Sequence, residues 1–522
     1  MKIVTTQTMR EMERRTIEEF QIKGGQLMDR AGYCVAYAVR RLAEVSGFAS
    51  AYVHLVAGRG NNGGDAFVAA RYLKEMGFGV EVWLAGSANQ LSGDAALYYG
   101  KLKAAKIRVE ELSTPEDWAA AMSNPFVAEV VVDGVLGTGL TGPARGPAAG
   151  AIRYLRSQAN DSLVVSIDVP SGLNADTGRT EGDAVMADLT VTMGLPKVGL
   201  IEPHAIDYVG AVEVADIGLP REVIEDADSD EREMIFATDL KPLFPRRKRN
   251  THKGHYGHTL VIAGARGFAG AAALATRAAS RSGVGLVSAI VPESIQTVVA
   301  SDVLEAMVHG APQTAAGSLS LEALPIIRSF YDRVKSLVIG PGLSRSAEIG
   351  ELVRTVLAEC PVPMVMDADA LSILGQDLAA LATARNGLII TPHPGEMAGL
   401  MGLTVETVQS DRLGVAMRAV QASRAVVVLK GAGTVVVALR KTTLINLTGN
   451  PGMATGGAGD VLAGLMAGLL AQGFSPYDAA RTAVYVHGRA GDLAAWRHCQ
   501  LSLNAGDLVD ELPFAFRDLT LR

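Results

Sequence analysis

Amide and carboxylate oxygens stand among glycines in GRGNNGGDAF, residues 58–67, between the apolar run AYVHLVAG and AFVAARYLKEMG, whose apolar residues recur at helical spacing. Glycines at Gly63 and Gly64 predict a positive-φ turn that lets backbone approach a ligand, and the first amides of the following helix attract an anion. The stretch lacks the Lys-Ser/Thr ending of a Walker loop and the spacing of a GxGxxG fingerprint. What it adds is side-chain oxygen from Asn61, Asn62 and Asp65, which suits a hard cation. Two later segments carry matching chemistry. VVVDGVLGTGLTGPARGP ends an apolar run in Asp133 and continues through Gly137, Thr138, Gly139, Leu140, Thr141, Gly142 and Pro143, a loop able to wrap a phosphate with backbone amides. VVSIDVPSGLNADTG presents Asp168 and Ser171 in the same way. Singly each reads as a cap or Asx turn; jointly they read as one site.

The second half has its own candidates. In NLTGNPGMATGGAGDVLAGLMAGLL the turn Gly456, Gly457, Ala458, Gly459 runs into Asp460 and an apolar helix, so free amides converge where a phosphoryl group gathers charge. An aspartate at that helix start is expected to favour its carboxylate form, ready to take a proton from a hydroxyl. VVLKGAGTVVVA places Lys430, Gly431, Ala432, Gly433 and Thr434 between two strands, a turn shaped to run beside an adenine nucleotide, with Lys430 as a phosphate partner. IITPHPGEMAGL presents His393 and enters a helix at Glu396, while VIGPGLS and MDADAL are further strand ends.

These motifs need a scaffold that brings strand ends together. Short Val-, Ile- and Leu-rich runs alternate with helical segments, which predicts parallel sheets covered on both faces. The runs in the first half are AYVHLVA, VEVWLAG, EVVVDGVLG, LVVSIDVP, LTVTMG and VEVADIG; HTLVIAGA, GLVSAIVP, SLVIGPG, VPMVMDADA, GLIITPHPGE and AVVVLKGAGTVVVAL form a second series. At 522 residues two domains are expected. LPREVIEDADSDERE and KPLFPRRKRNTHKG between the series read as a linker and entry segment, giving domains 1–218 and 240–522 joined by 219–239. In open parallel sheets ligands gather at the carboxyl ends of the strands, where all of these motifs fall.

Composition narrows the partners. With 48% apolar residues and a net charge of −7, the chain reads as a globular protein that binds neither nucleic acid nor membrane. Its longest apolar stretch, VLAGLMAGLLAQGF, is shorter than the ~20 residues of a membrane span and reads as a buried helix. Cys34, Cys360 and Cys499 are far apart, offer no metal pair or disulfide framework, and fit small buried hydrophobes in a reducing, cytoplasmic setting. The N-terminus has no apolar core of an export signal. The segment LMDRAGYCVAYAVRRLA suits either a core or a partner subunit, and a homo-oligomer is expected.

LMDRAG, GNNGGDAFVAARYL, VDGVLGTGLTGP and IDVPSGLNADTG resemble, in order, the YjeF N-terminal family of NAD(P)HX epimerases, which interconvert the R and S forms of NADH and NADPH hydrated at C6 of the nicotinamide ring. That resemblance implies a Rossmann-like α/β/α domain. It implies that residues 61–65 and 137–143 hold NADHX or NADPHX, that Asp168 contacts it, and that Asn62, Asp133 and Ser171 ligate a potassium ion. Asp168 is then a candidate for proton transfer or for positioning the ring. From HKGHYGHTLVIAGARGFAGAAALATRAASRSGVGLV to HGRAGDLAA the chain resembles the YjeF C-terminal family, ribokinase-like, nucleotide-dependent NAD(P)HX dehydratases. Here the resemblance implies substrate contacts from Ala271, Gly342, His393 and Asp460. It also implies ADP or ATP on residues 430–434 and 456–459, with magnesium accompanying the nucleotide. Phosphoryl transfer to the C6 hydroxyl, with Asp460 taking its proton, would turn a poor leaving group into phosphate. A kinase of a small alcohol is one alternative, since ribokinase-like sites share the glycine-rich Asp turn, and a non-catalytic nucleotide sensor is another.

Overall fold

The six runs of the first half and one further strand, β3, pair into one sheet, every neighbour parallel: β1 (Tyr52–Ala57), β2 (Gly79–Ala85), β3 (Val109–Leu112), β4 (Val130–Gly134), β5 (Leu163–Ile167), β6 (Leu189–Met193) and β7 (Ala211–Ala215). Their order is β3-β2-β1-β4-β5-β6-β7, so the winding direction reverses between β1 and β4. At such a reversal the loops leaving adjacent strands diverge and open a crevice at the carboxyl ends. The loop after β1 carries residues 61–65 and the loop after β4 carries 137–143. This computed structural model describes residues 1–48, 51–140 and 142–520.

Met1–Met234 and Ile235–Arg522 are separate compact units, and the division falls inside the segment that the sequence assigns to a linker. Residues 219–239 are ordered: a helix at Arg221–Asp226, β8 (Arg232–Met234) and a short helix at Ala237–Leu240. Their partners are remote in sequence, which is why local polarity hid them. Lys2 bridges Glu233, the Met1 amine donates to the Met234 carbonyl at 2.9 Å, and Lys2 Nζ donates to the carbonyls of Glu225 and Ala227 at 2.7 and 2.9 Å.

The second unit repeats the plan with β9 (His258–Ile262), β10 (Leu286–Pro292), β11 (Met307–Ala311), β12 (Ser336–Ile339), β13 (Met364–Met366), β14 (Leu388–Ile390), β15 (Val426–Leu429), β16 (Thr434–Val437) and β17 (Thr443–Asn446). They run in the order β11-β10-β9-β12-β13-β14-β15-β16-β17, reversing between β9 and β12. At one end the parallel sheet gives way to antiparallel pairing of β15, β16 and β17, because tight turns rather than helices connect them; the first of these is the strand–turn–strand read in VVLKGAGTVVVA. Successive residues serve opposite faces. Leu260, Ile262, Leu337 and Ile339 join one buried cluster, Val261, Ala263 and Val338 the other, so helices cover both sides of the sheet. One of them, Ala458–Ala471, is the apolar stretch of the sequence and is buried throughout Val461–Ala471.

Two expectations need correction. Of the cysteines only Cys360 is buried; Cys34 is half-buried and Cys499 exposed. Gly63 and Gly64 do not adopt positive φ, since Asn61–Glu75 is helical from its first asparagine. They are glycines for packing: a Cβ on Gly63 would lie 1.9 Å from the Gly58 carbonyl oxygen, and one on Gly64 2.6 Å from Met28 Sδ. Among the described residues no helix is long and apolar enough to cross a membrane.

Candidate functional sites

In the first unit Asp133, the fourth residue of β4, is fully buried. Its carboxylate accepts four hydrogen bonds, all from neutral donors: Ser171 Oγ (2.5 Å), Ser171 N (2.8 Å), Ser166 Oγ (2.9 Å) and Val135 N (3.2 Å). Burial pushes its pKa up, and those donors work against the rise. Ser171 Oγ accepts from Leu136 N at 2.8 Å, and Asn62 Nδ2 donates to the Leu136 carbonyl at 3.0 Å. Asn62, Asp133 and Ser171 therefore meet around one short loop. One carboxylate, one hydroxyl and one amide oxygen supply little formal charge, which fits a large monovalent cation better than calcium.

Asp168 directly follows β5 and has φ +67°, a left-handed conformation that costs a side-chain-bearing residue roughly 1–2 kcal/mol. Its carboxylate is tied down. Oδ1 accepts from Lys197 Nζ (2.5 Å), Met193 N (3.1 Å) and Thr192 Oγ1 (3.3 Å), and Lys197, 1% exposed, also donates to the Met193 carbonyl at 2.7 Å. A Cβ at Gly137 would lie 3.3 Å from Asn62 Oδ1 and 3.5 Å from Asp168 Oδ2, so the loop glycine, the amide and the carboxylate face one cradle that a side chain would fill. Asp65 is buried nearby, its pKa pushed well above the usual range by burial and then by Asp168. Arg10 Nη2 donates to the Thr138 carbonyl at 3.0 Å, tying the start of the 137–143 loop. Thr141 lies outside the described residues. Lys197 and Arg10 were not apparent from sequence; the one signal for Lys197 was its place just past the strand end LTVTMG.

In the second unit Asp367 follows β13, Lys430 follows β15, Glu396 sits in the helix Pro394–Met401 after β14, and Asp460 lies in the first turn of Ala458–Ala471. Lys430 Nζ is 2.7 Å from Asp367 Oδ1 and 3.8 Å from Glu396 Oε2. A Cβ on Gly459 would come within 3.2 Å of Lys430 Nζ and 3.4 Å of Asp367 Oδ2, placing the glycine turn against the ion pair. Burial, and then the Asp367 charge, raise the Asp460 pKa to about 7. The helix start was expected to favour the carboxylate; desolvation and a like charge outweigh that modest dipole effect. For Lys430 burial opposes the charge, but Asp367 and Glu396 hold the pKa above the ordinary value.

The remaining residues are distributed around this centre. Gly342, with φ +61°, would bring a Cβ within 2.9 Å of Ala271 and Phe268, so Ala271 and Gly342 meet at the β9/β12 reversal beside the half-exposed Phe268 ring. His393 is exposed and caps its own helix, Nδ1 accepting from Gly395 N and Glu396 N. In the 430–434 turn, Thr434 Oγ1 donates to the Gly431 carbonyl at 2.8 Å, and the buried Arg412 braces the turn through the carbonyls of Leu429 and Lys430 at 3.0 and 3.3 Å. Arg412 and Asp367 carried no role in the sequence reading; MDADAL was only an acidic strand end. Asp367 Oδ2 is buried without a hydrogen-bond partner, and with Glu396 it fits a divalent cation that brings nucleotide oxygens as its other ligands. Among the described residues no cluster of three or more His, Cys, Asp or Glu forms a ready-made metal cage.

Comparison with known proteins fits this geometry. Residues 24–199 match the family model of the YjeF-related protein N-terminus and residues 259–514 that of NAD(P)H-hydrate dehydratase. A bifunctional NAD(P)H-hydrate repair enzyme of Moorella thermoacetica is 39% identical over 522 residues, 99% of this chain and 97% of the relative. The chain belongs to the bifunctional NAD(P)H-hydrate repair enzymes. A relative of the same name from Escherichia coli is 35% identical to this repair enzyme over 97% of the chain and 92% of its own length. A ribokinase-like superfamily protein of Enterococcus faecalis superimposes with a TM-score of 0.50 at 26% identity, covering 57% of this chain and 99% of its own. The two α/β units are thus Rossmann-like and ribokinase-like.

Proposed function

We propose that the two clusters divide the repair of hydrated NADH and NADPH, Asp168 serving epimerisation and Asp460 serving dehydration. The chain is a bifunctional enzyme, an NAD(P)HX epimerase and a nucleotide-dependent NAD(P)HX dehydratase. In the first unit the substrate lies across the β1/β4 crevice on residues 61–65 and 137–143, its phosphates on helix and loop amides. Burial favours the neutral form of Asp65, which suits a neighbour of a phosphate. Inversion at C6 requires a bond to that carbon to break and re-form: as the C6–N1 bond opens, the hydroxyl oxygen gives up its proton to become a carbonyl and N1 takes one up, and closure on the other face reverses this. Asp168 Oδ2 is the carboxylate oxygen turned to the cradle to carry that proton while Lys197 holds Oδ1. A potassium ion on Asn62, Asp133 and Ser171 would supply positive charge beside the bound anion.

In the second unit ADP or ATP runs along residues 430–434 and 456–459, and the hydrated ring rests near Ala271, Gly342 and His393. Asp460 accepts the C6 hydroxyl proton as that oxygen attacks the terminal phosphorus, and the Gly456–Gly459 turn and Lys430 stabilise the transferring group. Magnesium held with the nucleotide at Asp367 and Glu396 would neutralise phosphate charge. Phosphate then leaves as the ring nitrogen pushes electron density toward C6, and loss of a proton from C5 of the resulting iminium restores the dihydronicotinamide, so that ADP yields AMP and phosphate.

The observation that carries this reading is the carboxyl of Asp460, raised to about 7 in a glycine turn beside the Lys430–Asp367 pair: a base poised for use at neutral pH. Incubation of S-NADHX with ADP tests it. Return of dihydronicotinamide absorbance with stoichiometric AMP and phosphate is expected; a stable phosphorylated alcohol would identify a kinase instead. We also place the enzyme in the cytoplasm, in line with its free cysteines, and as a homo-oligomer, in line with the exposed, stacked Tyr33 and Tyr37 on the helix Gly24–Val45.

A further inference from the structure

HGRAGD, residues 487–492, lies within the 22-residue helix Pro476–Arg497 and none of its side chains has a part in the chemistry above. Two of its residues are glycines in a helix interior, each unfavourable by roughly 1 kcal/mol relative to alanine. The structure shows what they make room for. A Cβ on Gly488 would lie 2.2 Å from Thr448 Oγ1, and one on Gly491 2.2 Å from Met453 Sδ. The loop that leads into the Gly456–Gly459 turn is pressed directly on the helix backbone.

Two polar residues of the motif grip the same loop at both ends, while Arg489 pairs with Asp518. Asp492, 5% exposed, accepts from the Gly449 amide with both carboxylate oxygens, at 3.2 and 3.1 Å, and from Asn450 Nδ2 at 3.3 Å. His487 Nε2 is 2.9 Å from the Ala458 carbonyl, at the first residue of the helix that bears Asp460. That acceptor fixes the protonated nitrogen as Nε2 in a ring that burial keeps neutral, with a pKa near 4. Residues 487, 488, 491 and 492 share one helix face, and each meets a different point between Thr448 and Ala458. Within the loop, Asn450 Oδ1 accepts from Gly452 N at 3.1 Å, and Gly449 sits at φ +108°, where a side chain would be strained.

We infer that the 487–492 face is a clamp that fixes the glycine turn in its phosphoryl-stabilising geometry, with Asp492 as the principal positioning residue of the dehydratase site. Backbone amides stabilise a transferring group only when they are already aimed at it, and a turn rich in glycine has no intrinsic reason to hold one shape. The clamp supplies that reason from outside the turn. The inference rests on the assignment of Asp460 and residues 456–459 to dehydration.

Asp492→Ala, Asp492→Asn and Gly491→Ala, compared with Asp460→Asn, test it in the full chain. Dehydration of S-NADHX with ADP in Asp492→Ala is expected to lose about 10- to 100-fold in kcat, with the nucleotide KM within about threefold of the parent. Asp492→Asn, which keeps an acceptor for the Gly449 amide, is expected to fall between the two. Amide hydrogen exchange of residues 449–459 should quicken while strands β13 and β15 stay protected, and epimerase activity should be unchanged. A kcat within about twofold of the parent, or a loss with exchange quickened equally through β13 and β15, would overturn the clamp. If Asp492→Ala fails to fold, Gly491→Ala decides: the added methyl should lower kcat by displacing Met453, and parental kcat would refute the proposal. Full activity in Asp460→Asn would instead overturn the underlying site assignment.

Discussion

Each unit pairs a lysine, buried at Lys197 and half-buried at Lys430, with an aspartate at a strand end, but the pairings differ. In the first unit Lys197 bonds directly to Asp168, the carboxylate facing the cradle; in the second Lys430 bonds to Asp367, and Asp460 is left beside the pair with its pKa raised to about 7. Where the ammonium sits decides which carboxylate is tied by a direct ion pair and which stands beside one. A locked carboxylate suits a site that must orient one ring and return it with its chemistry otherwise unchanged. A base raised toward neutral pH suits a site that must strip a hydroxyl once per phosphoryl transfer.

Removing the lock should have the largest effect. Lys197→Met leaves the Asp168 carboxylate buried without its cation, and loss of one partner of such a pair costs about 3–5 kcal/mol. Denaturant unfolding of the first unit should show that loss together with abolished epimerase activity, and dehydration of the S epimer should persist. If unfolding of the first unit is unchanged, Asp168 does not depend on the pair.

The second site should answer to pH. Only ionised Asp460 can accept the proton, so dehydratase kcat/KM is expected to rise tenfold per pH unit below an inflection near 7 and then level off. A profile flat from pH 5.5 to 8.5 would remove Asp460 as the base. The same shift has a stability consequence of opposite sign. A carboxyl whose folded pKa lies above its unfolded value binds more protons when folded, so stability falls as pH rises from about 4 to 7. Asp460→Asn should therefore raise the melting temperature of the second unit at pH 8 by roughly 2–4 °C, with a smaller gain at pH 5.

Two smaller effects sharpen the comparison. Replacing potassium by lithium should slow epimerisation and leave dehydration unaffected, because Asn62, Asp133 and Ser171 belong to the first unit alone. Gly137→Ala puts a methyl between Asn62 and Asp168 and should raise the epimerase KM for the hydrated dinucleotide with little change in kcat. Equal losses in both activities would contradict the separation of the sites.

The parts of these sites visible in the sequence are those whose chemistry is local. The glycine turn, Asp460 and its apolar helix are contiguous, and Asp133, Asp168 and Ser171 each end or follow an apolar run, so their placement at strand ends could be read directly. Lys197 was hidden because a lysine just past a strand end points to no partner until β6 is set beside β5. Asp367 was legible as an acid but not as the partner of Lys430, 63 residues away. Gly63 and Gly64 differ from the turn expected of them because a glycine in a turn and a glycine packed against a carbonyl or a methionine look alike in sequence. The strands β3, VEEL, and β11, MVHGA, escaped because charge or small residues broke their apolar runs; as edge strands they have one neighbour and bury less.

The division of labour is tested most directly by following each purified epimer of hydrated NADH, with ADP and potassium present, in Asp168→Asn and Asp460→Asn. Asp168→Asn should restore NADH from the S epimer at the parental rate while the R epimer is repaired only as fast as it inverts spontaneously. Asp460→Asn should interconvert R and S yet return no NADH. Rapid repair of the R epimer by Asp168→Asn, or parental NADH recovery by Asp460→Asn, would contradict the account.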